Sequence, residues 1–145
     1  MTSNKAMLEI EARSENVSLA RVVATAFVAT LDPTVSELSD IKTAVSEAVT
    51  NSIIHGYGDL QDSDTPVVVM VLSFEGNKIT IEVSDKGVGI ENIESAREPL
   101  FTTKPEMERS GLGFTVMESF MDVVEVKSTP GVGTTVIMTK TLKEQ

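Results

Sequence analysis

The sequence predicts one α+β domain, a two-layer sandwich in which three helices cover one face of a mixed, mostly antiparallel sheet. Two long helical patterns come early, four of the five predicted strands come late, and one further helix separates the strand pairs. This segregation of helices and strands is typical of α+β folds. The 145 residues are enough for one sizeable core and show no linker or repeat, so we expect a single domain over residues 1–145.

The N-terminal part of the chain is predicted to form an edge strand and two helices. Residues 5–11 alternate weakly between apolar and polar side chains, and residues 15–31 are apolar at helical spacing until an Asp-Pro pair stops them. Thr34 and Glu37 have the spacing of a capping box, in which two side chains satisfy free backbone amides at a helix start. We expect this second helix to reach about His55, where glycines follow.

The later part of the chain is predicted to contain four strands and one helix. Residues 65–74 include an unbroken apolar run, which favours a central strand covered on both faces. A tight turn leads to residues 79–85, which alternate between apolar and polar side chains. A helix at 113–120 and strands at 123–128 and 134–141 complete the predicted elements.

Residues 86–110 have no clean hydrophobic period and carry glycine, proline and mixed charge. A structureless stretch of this length inside a compact domain is usually functional, and we expect a lid at about residues 90–110. A short helix at 93–97 is expected to interrupt it.

Composition excludes several classes of function. There is no cysteine, so disulfides, zinc–thiolate sites and thiol catalysis are excluded. The formal net charge of −10 disfavours nucleic-acid binding and favours a basic protein partner, although the charge also serves solubility. No apolar run reaches the ~18 residues of a membrane span, and the first residues lack the apolar core of a signal peptide. We therefore expect a cytoplasmic protein without a membrane partner.

Glu47 and Asn51 lie four positions apart on the second predicted helix, so their side chains share one face. That face lies nearly opposite the apolar stripe, and a solvated polar face is the simplest interpretation. The alternative is a functional pair. Mg²⁺ prefers oxygen ligands such as the Asn51 amide oxygen together with phosphate oxygens, and the Glu47 carboxylate can act as a general base. His55, the one histidine, is expected to be structural.

Asp85 has the same strand parity as Ile81 and Val83, so its carboxylate is predicted to face the core. A carboxylate in that position needs a dedicated donor, such as the exocyclic amine of adenine. The alternative is a turn aspartate that caps its own loop. Gly87 and Gly89 fit either interpretation, because glycine allows unusual backbone angles and close backbone approach.

The segment Ser110-Gly-Leu-Gly113 precedes a helical pattern, and free amides at a helix start bind anions such as phosphate. The sequence has no Walker-type loop, and Val116 takes the place of the third glycine of a dinucleotide fingerprint. Lys104 and Arg109 are the nearby cations that could reach a γ-phosphate, or they could be solvated surface charges.

Together these motifs resemble the ATPase superfamily that includes gyrase and the histidine kinases. The matching motifs are Glu47-x-x-x-Asn51 for the N box, Asp85-x-Gly87-x-Gly89 and Gly111-x-Gly113 for the glycine boxes, and Gly133-Thr-Thr135 for the closing threonine motif. The resemblance covers residues 9–139. It implies a Bergerat-type ATP-binding fold with an ATP lid at about 90–110.

More narrowly, the chain resembles the anti-sigma-F factors of endospore formers, a family of serine-protein kinases. The specific strings are ARSEN at 12–16, LDPT at 31–34, VSEAVTN at 45–51 and PLFTTKPE at 99–106. Residues 58–67 depart most from the family, in both sequence and length, but that segment only joins two elements.

The resemblance implies a role for each candidate residue. Glu47 would take the proton from an incoming serine, with Arg109 on the γ-phosphate. Asn51 would bind Mg²⁺, Asp85 would hold adenine, and Arg21 on the first helix would contact protein partners. The nucleotide would further contact Gly87, Gly89, Thr103, Lys104, Ser110, Gly111, Leu112, Gly113 and Thr135.

The resemblance also implies the ligands and partners. ATP or ADP with Mg²⁺ would occupy the site, and a homodimer would clamp a sporulation sigma factor, sigma-F. An anti-anti-sigma factor would displace it and be phosphorylated on serine. A general-stress anti-sigma kinase is a close alternative. Three further alternatives are more distant. One is a histidine-kinase-like ATPase domain, and another is a binding module without catalysis, against which the presence of Glu47 argues. The last is a gyrase-like clamp, which needs a transducer domain for which we expect 145 residues to leave no room.

Overall fold

The computed structural model describes residues 2–56, 66–86 and 113–143, which form five strands, three α-helices and one π-helical turn. In chain order these are β1 (Ser3–Glu11), α1 (Asn16–Ala29), α2 (Val35–Asn51), the π turn (Ser52–Gly56), β2 (Val67–Glu75), β3 (Lys78–Asp85), α3 (Gly113–Phe120), β4 (Val123–Thr129) and β5 (Gly133–Thr141). The predicted lid and the short helix at 93–97 lie outside these residues.

The five strands form one sheet in the order β1-β2-β3-β5-β4, and every neighbouring pair is antiparallel. The α+β prediction is therefore confirmed, as is the position of β1 at an edge. The sheet was predicted to be mixed and mostly antiparallel, and the described strands contain antiparallel pairs only. β2 and β3 form one hairpin and β4 and β5 form another, and the two hairpins meet where β5 lies beside β3.

The core lies between the sheet and a layer of helices. Ile79, Ile81 and Val83 on β3 are fully buried, as are Met70 and Leu72 on β2. Within the helix layer, α2 contacts both α1 and α3 and is therefore the central helix. No helix in the described ranges is both long and apolar enough to cross a bilayer.

The prediction that β2 is covered on both faces was wrong. Burial alternates along the strand, so Val68 and Met70 face the helices and are buried, whereas Val67, Val69 and Val71 on the other face are only half-buried. Valine favours a pleated strand whether one face or both are covered, so the apolar run identified the strand but not its layers.

The first turn of α2 is tied both to its own cap and to the end of the sheet. The predicted capping box is present: Thr34 N–H donates to Glu37 Oε1 at 2.9 Å, and Glu37 N–H donates to Thr34 Oγ1 at 3.0 Å. The second carboxylate oxygen, Oε2, accepts the backbone N–H of Lys143 at 2.8 Å. These backbone donors, first that of Thr34 and then that of Lys143, hold the pKa of Glu37 below its ordinary value.

Candidate functional site

Glu47 and Asn51 lie on the last turns of α2, as predicted, but the face that carries them is only partly exposed to solvent. Both residues are half-buried, and α2 packs against α1 on one side and α3 on the other. The amide oxygen Oδ1 of Asn51 is buried, and no donor among the described residues reaches it. An enclosed acceptor without a donor is costly, by about 1–3 kcal/mol, so this oxygen is suited to a ligand.

The helix prediction was right for α2 but missed how it ends. The α-helix stops at Asn51, and the chain continues as the π turn Ser52–Gly56 rather than as α-helix to His55. This turn contacts β3 and β5, and Ser52 within it is buried. Single π turns are frequent at functional sites. Here the turn joins the Asn51 end of α2 to the two central strands of the site.

Asp85 is the last residue of β3, and its side chain faces the core, as the strand parity predicted. It is 8% exposed, and it continues the buried series of Ile81 and Val83. Its partners across the sheet are Val68 on β2 and Thr134 on β5. A carboxylate is therefore held at the margin of the core, where the end of β3 meets the start of β5.

The threonine that shares the face of Asp85 is Thr134, not the predicted Thr135. Directly paired residues in an antiparallel sheet point to the same side, and Thr134 is the partner of Asp85. Thr135 pairs with Ser84 on the opposite face, where the two hydroxyls are hydrogen-bonded at 3.0 Å. The signal was present in the sequence, because Thr134 has the parity of the apolar Val136 and Met138. Of the two threonines in the motif, Thr134 is therefore the one whose side chain lies on the face of Asp85.

Thr134 is itself held in place by the neighbouring strand. Its Oγ1 lies 2.8 Å from the hydroxyl oxygen of Ser128 on β4, with which it is paired in the sheet. The Ser128 hydroxyl also donates to the carbonyl oxygen of Gly133 at 3.1 Å, so in this arrangement Thr134 donates to Ser128 and keeps its acceptor capacity.

Arg21 on α1 is half-buried and reaches across to α2. Its guanidinium donates to Ser46 Oγ at 3.3 Å and to Ser18 Oγ at 3.1 Å. Ser46 directly precedes Glu47 in the sequence. The predicted partner-contacting arginine is therefore tethered beside the predicted base, a relationship that the sequence did not indicate.

The remaining candidates are placed only in part. Gly113 begins α3, as predicted, and α3 packs on α2. The other candidate positions lie outside the described residues: Gly87, Gly89, Thr103, Lys104, Arg109, Ser110, Gly111 and Leu112.

The described residues fit a magnesium ion that is held by one protein oxygen and takes its other ligands from phosphate and water. Within the described ranges, no three His, Cys, Asp or Glu side chains converge into a metal cage. The buried Asn51 Oδ1 is a hard oxygen acceptor, and Mg²⁺ typically takes one or two protein oxygens together with phosphate oxygens and waters.

Comparisons with known proteins identify the family of the chain. Residues 10–140 match the family model of the histidine kinase-like ATPase domain. An anti-sigma F factor from Clostridium perfringens is 58% identical over 94% of this chain and 96% of its own length. Another from Clostridium novyi is 52% identical over 99% of this chain and 98% of its own length.

One solved structure supports the fold alone. The crystal structure of the RsbU and RsbW domains of a Mycobacterium tuberculosis protein superposes with a TM-score of 0.68 at 18% identity. The match covers 96% of this chain and 32% of that longer chain, so this chain spans about a third of it. The chain belongs to the anti-sigma F factor family and has the fold of a histidine kinase-like ATPase domain.

Proposed function

We propose that this chain binds ATP where α2, β3 and β5 meet, and that it transfers the γ-phosphate to a serine of a protein partner. The observation that carries the proposal is the buried carboxylate of Asp85 at the end of β3. A buried carboxylate is a strong and directional acceptor, and the exocyclic amine of adenine is a donor of matching chemistry for one of its oxygens. Because Thr134 lies on the same face, we assign to it the supporting role that the family resemblance implied for Thr135.

The phosphate end of the nucleotide belongs at the Asn51 end of α2. Asn51 Oδ1, together with phosphate oxygens, is suited to hold Mg²⁺, which offsets the negative charge of the triphosphate. Gly113 opens α3 beside α2, where free amides favour an anion. Arg109 and the segment Ser110-Gly-Leu-Gly113 complete the phosphate site by resemblance.

Glu47 is proposed as the general base. Its carboxylate accepts the proton of the serine hydroxyl, the serine oxygen forms a bond to the γ-phosphorus, and the bond to the β-phosphate oxygen breaks to release ADP. Glu47 lies one helical turn before Asn51 on the same face of α2, so the base and the magnesium ligand are held by one rigid element. Most of the catalysis is then positioning and electrostatic stabilisation.

The proposed partners follow from the relatives. Proteins 52–58% identical to this chain are named anti-sigma F factors, so we propose that an ATP-bound dimer of this chain binds sigma-F. An anti-anti-sigma protein would be the serine phosphoacceptor. Since a sigma factor acts on RNA polymerase, the proposal implies a cytoplasmic protein. Those names favour sigma-F over a general-stress sigma factor, and parallel binding assays with both would separate them.

The decisive experiment is phosphoryl transfer from labelled ATP with Mg²⁺ and a purified anti-anti-sigma protein. We expect label on a serine of the partner, and none with Glu47→Ala, while calorimetry shows ATP affinity nearly unchanged. Glu125→Ala is the matched control, because Glu125 is an exposed carboxylate on β4. Label on a histidine of the chain itself would support a histidine kinase, and free phosphate alone would support a clamp ATPase. Absence of ATP binding would refute the role of Asp85.

A further inference from the structure

Gly133, the first residue of β5, packs against the end of β3 more closely than any side chain allows. Its φ is +148°, a conformation that other residues rarely adopt. A Cβ atom added to it would overlap the backbone carbonyl oxygen of Asp85. The same atom would lie 2.9 Å from the Cα of Lys86 and 3.1 Å from the carbonyl carbon of Asp85. These neighbours are backbone atoms, so they cannot swing aside as a side chain would.

The neighbouring Gly131 makes a useful contrast. Its φ is +79°, so it also occupies the left-handed region, but a Cβ atom there would meet nothing within 4 Å. Gly131 therefore serves the turn between β4 and β5, and its lack of a side chain matters only for the backbone angle. At position 133, by contrast, glycine is required both for the positive φ angle and because the backbone of β3 leaves no space for a Cβ atom.

The space at Gly133 bears directly on the buried carboxylate. Asp85 is paired with Thr134, so β3 ends beside the start of β5, and Gly133 lies against the point where the chain leaves β3. A side chain at position 133 would push the backbone of residues 85 and 86 away from β5. The Asp85 carboxylate would move with its backbone, and a displacement of ~1 Å at a binding group can lower a rate or affinity by ~100-fold.

We propose that Gly133 is a positioning residue that sets the Asp85 carboxylate for the exocyclic amine of adenine. It makes no contact with the nucleotide through a side chain; it acts by letting the ends of β3 and β5 lie together. This inference rests on the proposed function, because it presumes that Asp85 reads the base. It makes Gly133 a determinant of selectivity for adenine rather than of triphosphate binding in general.

The test compares binding of ATP with that of inosine triphosphate, whose base carries a carbonyl group where adenine has its amine. In the wild-type chain we expect a clear preference for ATP. Gly133→Ala should reduce that preference by about tenfold or more, chiefly by weakening ATP, while inosine triphosphate is affected little. Gly131→Ala, which strains the turn without reaching Asp85, should retain the preference even if the protein is less stable. A general loss of stability would weaken both nucleotides alike and leave their ratio unchanged.

A double-mutant cycle tests whether Gly133 acts through Asp85. If it does, Asp85→Asn combined with Gly133→Ala binds ATP no more weakly than Asp85→Asn alone. If Gly133→Ala does not fold, the amide signal of Gly133 in the wild-type NMR spectrum replaces it: the signal should shift with ATP and stay in place with inosine triphosphate.

The outcomes separate the two proposals. A wild-type chain that does not prefer ATP overturns the role of Asp85 and with it the proposed function. A wild-type preference that survives in Gly133→Ala, additive losses in the cycle, or equal shifts at Gly133 with both nucleotides would overturn the positioning role alone.

Discussion

Glu37 at the start of α2 accepts the backbone N–H of Lys143, which lies 106 positions later in the chain, at 2.8 Å. Its other carboxylate oxygen accepts the N–H of Thr34 in the capping box. One side chain therefore closes the N-terminus of the central helix and ties that helix to the segment after β5. Glu37 is only 7% exposed, so these donors have little water to replace the carboxylate if it is lost.

Replacing Glu37 by Gln should lower the free energy of unfolding by about 1–3 kcal/mol at pH 7, because a neutral amide offers one acceptor oxygen where two are used. The folded-state pKa is lowered, so the contribution of Glu37 is fully present above its ordinary value of 4.5 and is lost as the pH falls through the folded-state value. Urea unfolding at a series of pH values measures this. The gap between wild type and variant should narrow below pH 4.5, and the exposed control Glu125→Gln should show almost no gap. A gap that does not change with pH would contradict the assignment.

Asp85→Asn should weaken ATP binding by roughly 10- to 150-fold, which corresponds to the ~1.5–3 kcal/mol of a hydrogen bond to a charged group. The free energy of unfolding without nucleotide should change less, because the variant no longer buries a charge. Isothermal calorimetry and chemical unfolding measure the two quantities separately. Equal losses in both would mean that Asp85 is a structural residue.

Asn51→Ala should remove the dependence of ATP affinity on Mg²⁺ while raising the stability of the nucleotide-free protein. The buried Oδ1 without a donor is removed, and alanine has the higher helix propensity, so the free energy of unfolding should increase by about 1 kcal/mol. Thr50→Ala is the control, because it raises helix propensity at the position before Asn51 but keeps the side-chain amide of Asn51. Retention of the magnesium effect in Asn51→Ala would exclude Asn51 as the ligand.

Ser46→Ala should weaken binding of the protein partners several-fold without weakening ATP binding. The substitution frees the Arg21 guanidinium from one of its two anchors, so the arginine loses part of its fixed orientation. The helix itself should not suffer, because Ser46 now bonds back to the carbonyl of Lys42 at 2.8 Å, and such bonding slightly destabilises helices. Surface plasmon resonance with each partner measures the effect, and Ser18→Ala tests the second anchor. Unchanged partner affinity in both variants would show that the tether has no role.

Local rules predicted most of the fold. The capping box at Thr34 and Glu37 and the inward parity of Asp85 follow from spacing alone, and both are confirmed. The partner of the second Glu37 oxygen could not be predicted, because a contact between residues 37 and 143 depends on the whole sheet being assembled.

The site was less fully predictable than the fold. Pairing of Asp85 with Thr134 depends on the register of β3 against β5, which a single motif does not specify, although parity with Val136 would have chosen Thr134 over Thr135. The π turn after Asn51 has no clear sequence signal either. Helix propensity continues through Ile53 and Ile54, and packing against the sheet decides the ending.

The proposed adenine side of the site lies where two hairpins of the sheet meet, because β3 is paired with β5. β3 belongs to the hairpin that it forms with β2, whereas β5 belongs to the hairpin that it forms with β4. Asp85 and Thr134 meet only when the hairpin has docked. A nascent chain whose last strand is still inside the ribosome would therefore be unable to hold nucleotide. In the complete protein, a nucleotide bound at the proposed site would contact both β3 and β5. It would therefore stabilise their pairing and slow amide hydrogen exchange along β5.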